Sequence, residues 1–186
     1  MKILLLSILL SLTTFKSEVV FVGDSYSAGV NTSYNYLLAK EKLNWRVTHI
    51  VKIGSSTSWM LKELDRKLYY QKYDVVFIYG GINDLYNGGS VTKTIKNIQA
   101  MVDMVTKQGG TAYVIVGFGG EFYDKCCNIG FRNRYIDYQT RLKSEIANTI
   151  IIPSLNVSSD LTARDKLHPL PEAQKKLKNH ILNYVK

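Results

Sequence analysis

Five short apolar runs, each followed by a stretch with helical spacing, constrain this chain more than any other feature. Val19–Gly23 (VVFVG), Trp45–Ile53 (WRVTHIVKI), Asp74–Gly80 (DVVFIYG), Thr111–Phe118 (TAYVIVGF) and Thr149–Ser154 (TIIIPS) are rich in β-branched and aromatic residues and read as strands. Between and after them, Asn31–Leu43, Thr57–Tyr70, Thr92–Gln108, Arg132–Asn148 and Pro171–Val185 read as helices. Trp59, Leu61, Leu64 and Leu68 recur at helical spacing, as do Ile95, Ile98, Val102 and Val105. Gly109-Gly110 suits a helix end, and Pro171 suits a first turn.

The strands are continuous apolar runs rather than alternating ones, which is the pattern of strands covered on both faces. Strand–helix alternation with right-handed crossovers then predicts an α/β chain: a three-layer α/β/α sandwich around a five-stranded parallel sheet. Folds of this kind bind ligands beyond the carboxyl ends of their strands. The residues after each strand are therefore the ones to read for chemistry.

A length of 186 residues and an apolar content of 46 % suit one packed domain. The N-terminus differs in kind. MKILLLSILLSLTTF carries one lysine, then an apolar run too short to span a bilayer, then threonines. This is the anatomy of a signal peptide. The expectation is a signal segment over residues 1–17, a mature domain over 18–186, and an exported protein without stable membrane insertion. The net charge is +9, but the lysines are scattered, and the one dense group, Lys175, Lys176 and Lys178, fits a solvated helix face. No nucleic-acid-binding motif accompanies the charge, so no nucleic-acid partner is expected. Cys126 and Cys127 are adjacent and cannot staple distant segments; a vicinal disulfide and two free thiols both fit. With no other Cys or His beside them they make a poor zinc site, and no metal is expected.

Gly23-Asp24-Ser25-Tyr26 follows the first strand and Gly54-Ser55-Ser56-Thr57 the second. Gly80-Gly81-Ile82-Asn83-Asp84 follows the third, and Asp165-Lys166-Leu167-His168-Pro169 comes after the fifth. On one sheet edge these supply a hydroxyl, backbone N–H groups, a side-chain amide, an imidazole and a carboxylate. Acyl transfer needs that inventory. Ser27 lacks the first glycine of a Gly-x-Ser-x-Gly elbow. His49 reads as a core or edge residue, His180 as a surface one, and Asp24 as a turn-bracing carboxylate.

With GDSY, the glycine of IGSST, GIND and DKLHP in order, the chain resembles the GDSL/SGNH hydrolase superfamily from about Val19 to its C-terminus. The resemblance implies a flavodoxin-like α/β/α fold and an ester hydrolase needing neither metal nor organic cofactor. It implies Ser25 as nucleophile, His168 as general base and Asp165 as the carboxylate orienting the imidazole. The oxyanion donors would be the Ser25 N–H, the Gly54 N–H and the Asn83 amide. Two positions depart from the family pattern: Tyr26 replaces the usual Leu and Lys166 a frequent Gly. The segment Gly117–Tyr135 is rich in glycine and aromatics and follows the fourth strand. It is expected to line the substrate, with Tyr26, Phe118, Phe122 and Tyr123 as contacts. No long apolar lid is evident, so the expected substrate is a small-acyl ester such as an O-acetyl group on a glycan. The alternatives are a lipase, lysophospholipase or thioesterase acting on longer chains, and a non-catalytic glycan-binding domain on the same fold.

Overall fold

In the computed structural model, which describes residues 16–185, the first strand runs at the centre of the sheet. β1 (Ser17–Gly23), β2 (Trp45–Val51), β3 (Val75–Tyr79), β4 (Thr111–Ile115) and β6 (Ile150–Ile152) form one parallel sheet in the order β2-β1-β3-β4-β6. Val19 to Val22 have no solvent exposure, as a central strand covered on both faces requires. The chain steps one way from β1 to β2 and then back across β1 to β3. With right-handed crossovers this reversal sends α1 (Tyr34–Glu41) to one face of the sheet. α2 (Thr57–Tyr70), α4 (Val91–Lys107) and α5 (Ile129–Glu145) go to the other. α6 (Pro171–Leu182) packs on α1, while α2 packs on α4 and α4 on α5. The predicted three-layer sandwich is what forms.

Register sets the core. Phe21, Phe77 and Tyr113 stand side by side on β1, β3 and β4 and stack at 4.8 and 4.9 Å. Tyr34 of α1 meets Phe21 edge-on at 6.1 Å. His49, opposite Phe21 on edge strand β2, stacks between it and Tyr36 and lies 3.1 Å from the Asn35 amide. It is the structural histidine that its strand position implied.

Local chemistry moves several boundaries. The helix expected from Arg132 starts at Ile129, because Asn128 Oδ1 accepts from the Phe131 N–H and caps it. The strand expected to reach Phe118 ends at Ile115. Gly117 turns the chain at φ +94°, and β5 (Phe118–Gly119) pairs instead with β7 (Leu155–Asn156) in a separate two-stranded ribbon. A short helix not expected from the sequence, α3 (Ile82–Tyr86), follows β3 directly. Lys175 and Lys176 are exposed as a solvated face requires, but Lys178 is buried and pairs with Glu41 of α1. His180, expected at the surface, is half-buried and donates from Nε2 to the Pro153 carbonyl at 2.9 Å. Of the segment expected as a signal peptide, residues 1–15 lie outside the described residues, and Ser17 opens β1.

Candidate active site

The sheet order places its switch point between β1 and β3, where a crevice opens beyond the strand ends. β1 closes on Gly23 because nothing larger fits: a Cβ there would stand 2.3 Å from Ser27 Oγ. Asp24 then caps a single 3₁₀ turn over Ser25–Ser27, its Oδ1 accepting from the Tyr26 N–H at 3.0 Å. The turn leaves Ser25 half-exposed at the crevice, while Ser27 is buried against the Tyr34 hydroxyl.

His168 reaches Ser25 from the loop that leads into α6. Its Nε2 lies 2.9 Å from Ser25 Oγ, and its Nδ1 lies 2.5 Å from Asp165 Oδ2. With the Nδ1 proton facing the carboxylate, Nε2 is left as acceptor for the serine hydroxyl. Asp165 Oδ1 also accepts from the Leu167 and His168 N–H groups at 3.0 Å each. Partial desolvation pushes the Asp165 carboxyl up, but the His168 ring and these N–H groups outweigh it and hold the carboxyl at about 2. Lys166, where the family has glycine, turns the chain at φ +58° and still closes the turn through its N–H to Ala163. Three residues thus make one hydrogen-bonded chain from a hydroxyl to an anionic carboxylate, the arrangement that activates a nucleophile.

Gly54 sits exposed in a left-handed turn at φ +72°. Neither its N–H nor that of Ser25 has a partner among the described residues. Asn83 stands in the first turn of α3, and its Nδ2 donates to the Ser55 carbonyl at 3.1 Å and to Asp24 Oδ2 at 3.3 Å. Asn83 is thus at the crevice but engaged on both sides. Asp24 is fully buried, and burial pushes its carboxyl from 3.8 up to about 7, against the lowering pull of the Tyr26 N–H and of His168.

The expected substrate contacts need correcting. Tyr26, Phe118 and Phe122 are at most 1 % exposed and Tyr123 5 %, so none of them faces a ligand. The aromatic segment folds inward: Phe118 stacks on Phe122 at 4.5 Å, and Tyr123 meets Tyr135 at 4.7 Å. Removing these rings from water outweighs leaving them on a loop surface. The two adjacent cysteines of this segment, Cys126 and Cys127, are joined to each other. The cavity beside Ser25 is built elsewhere. Gly29, Thr32 and Ser33 line one wall, and His168, Pro169, Pro171 and Gln174 the other, around about 220 Å³. Sequence reading passed over this wall because its residues are ordinary cap and turn types, and only the return of α6 brings them to Ser25.

A family model described as GDSL-like Lipase/Acylhydrolase family matches residues 21–176. No curated protein matches the chain by sequence. Among solved structures, that of TesA is similar at 22 % identity and TM-score 0.76, covering 91 % of this chain and 98 % of its own. An acetylxylan esterase from Geobacillus stearothermophilus, Axe2, is similar at 16 % identity and TM-score 0.74, covering 90 % and 93 %. The psychrotrophic esterase EstA from Pseudoalteromonas sp., in a form inhibited by monoethylphosphonate, follows at 18 % and 0.69, covering 90 % and 96 %. At these identities the structural likeness concerns the fold.

Proposed function

The chain belongs to the GDSL-like lipase/acylhydrolase family and is a carboxylic ester hydrolase; from that premise we propose that it works through a Ser25–His168–Asp165 triad on small-acyl esters, with O-acetylated glycans as the substrate class. The observation that carries this reading is the hydrogen-bonded chain of 2.9 and 2.5 Å from Ser25 Oγ through His168 to Asp165.

Ser25 Oγ attacks the ester carbonyl carbon while its proton passes to His168 Nε2. The resulting oxyanion is met by the free N–H groups of Ser25 and Gly54. Asn83 joins them when the longer of its two bonds, that to Asp24, gives way. The tetrahedral species collapses, the carbon–oxygen bond to the alcohol breaks, and His168 returns the proton to the leaving oxygen. Water then attacks the acyl-enzyme, giving its proton to His168. The acid leaves and Ser25 Oγ takes the proton back. Asp165 stays ionised throughout and steadies the imidazolium.

A cavity of about 220 Å³ with hydroxyl and amide groups from Thr32, Ser33 and Gln174 favours a short, polar substrate group over a long chain. Axe2, an acetylxylan esterase on the same fold, is in keeping with that choice. Export is part of the proposal and is supported by the apolar N-terminal run. Two measurements test it. A fluorophosphonate should label Ser25 and leave Ser25→Ala unlabelled; an unlabelled folded wild type rejects the triad. On p-nitrophenyl esters, kcat/KM should fall from acetate to octanoate, and the reverse order rejects the small-acyl choice.

A further inference from the structure

The turn that carries Asp165 and His168 is tied to itself far more than to the sheet. Asp165 Oδ1 accepts from two N–H groups of its own turn, Lys166 donates to Ala163, and Ala163 donates to the His168 carbonyl. These bonds give the turn its shape but not its position over Ser25. Among the described residues, two hydrogen bonds join Asp165–His168 to the β1 end. One is the Ser25–His168 contact itself; the other is donated by the Tyr26 hydroxyl to the Leu167 carbonyl at 2.5 Å.

We propose that Tyr26 is a positioning residue for His168: its phenol, through Leu167, sets the distance and angle at which the imidazole meets Ser25. The proposal rests on the triad reading above. Tyr26 suits the task. It directly follows the nucleophile in the same 3₁₀ turn, so one rigid element carries both Ser25 and the group that holds its base. Its ring packs against His168 with centroids 5.6 Å apart. The phenol oxygen is itself held, accepting from the Tyr123 hydroxyl at 3.2 Å. Burial pushes the Tyr26 hydroxyl well above its ordinary range, so it remains a donor wherever the enzyme works. Tyr123 in turn packs against Phe122 and Tyr135, so the aromatic segment expected to touch substrate instead braces the catalytic loop from behind. A leucine at this position fills space but has no hydrogen to donate. The chain's departure at GDSY therefore adds a fastening.

A displacement of about 1 Å in a catalytic group can cost about 100-fold in rate. Tyr26→Phe removes the hydroxyl and keeps the ring. It should lower the rate constant for fluorophosphonate labelling of Ser25, and kcat on p-nitrophenyl acetate with it, by about 10- to 100-fold. The labelled fraction at the end point should still reach the wild-type value, and KM should stay within about threefold because no substrate contact is lost. A purely structural role would lower the end point and leave the rate of the folded fraction alone. Wild-type labelling rate and kcat in Tyr26→Phe overturn the proposal. A wild type that fails to label overturns the triad reading instead. Should Tyr26→Phe not fold, Tyr123→Phe takes its place: an unchanged labelling rate overturns the proposal, and a drop of about two- to fivefold, from weakened polarisation of the chain, supports it.

Discussion

Asp84 holds Thr57 with both carboxylate oxygens, accepting from its N–H and from its hydroxyl at 2.9 Å each. The loop after β3 is thereby clasped to the first residue of α2, and the turn bearing Gly54 and Ser55 is held between them. Asn83, next in the chain, fastens the same turn through the Ser55 carbonyl. Asp84→Ala should cost about 1–2 kcal/mol in urea unfolding, as the loss of a helix-capping carboxylate does. It should also lower kcat, since the Gly54 N–H loses its support. Asp84→Asn, which keeps one acceptor, should recover part of both. Equal kcat in all three proteins would separate the clasp from catalysis.

Asp165 is half-exposed and touches only its own turn and the His168 ring. Asp165→Asn should therefore leave the melting temperature nearly unchanged while kcat falls about 10²–10⁴-fold, because the imidazole loses its preferred tautomer. A loss confined to KM contradicts the assigned role.

Asn83→Ala is expected to lower kcat about 10²–10³-fold, the usual cost of an oxyanion donor. The Ser55 carbonyl and the buried Asp24 carboxylate also lose a donor, so stability should fall by about 1–3 kcal/mol. If stability falls and kcat per folded molecule does not, Asn83 is a fastener alone.

The buried Asp24 gives stability a specific pH dependence. Its carboxyl titrates near 7 in the fold and near 4 unfolded, so the native state holds an extra proton across that window. Stability contributed by this group is present at low pH and is lost as pH rises from about 4 to about 7. Asp24→Asn has no proton to lose there. Urea unfolding at pH 5 and pH 8 should show the wild type declining relative to this variant by about 2–4 kcal/mol, with His168 and Asp84 as the charged groups that modulate the window. Parallel curves for the two proteins contradict the buried acid.

Phe122 has no exposed surface and stacks on Phe118. Phe122→Ala should cost about 3–5 kcal/mol in stability, and KM for a small ester should not rise. A KM effect without destabilisation would return this ring to the substrate.

Much of this molecule was legible from local pattern. Continuous apolar runs and 3.6-residue spacing reflect burial, which acts on each segment separately; so the parallel sheet, Thr57–Tyr70 and the proline-led α6 were readable one element at a time. Ser25, Gly54, Asn83, Asp165 and His168 were legible for a related reason. Parallel topology delivers whatever follows each strand to one edge, and those residue types have few other uses there together. Side-chain direction was not legible. Whether Phe118, Phe122 and Tyr123 face a ligand or the core depends on which surface is nearest after Gly117 turns the chain, and that surface comes from α5 and from Tyr26, distant in sequence. Asp24 against Asn83, Tyr26 against Leu167 and the wall from Gly29 to Gln174 are pairings across loops from separate strands. Composition and spacing named the groups able to do the chemistry; only closure of the fold decided which face one another, because hydrogen-bond geometry falls off within a few tenths of an ångström and no local rule carries that precision across the chain.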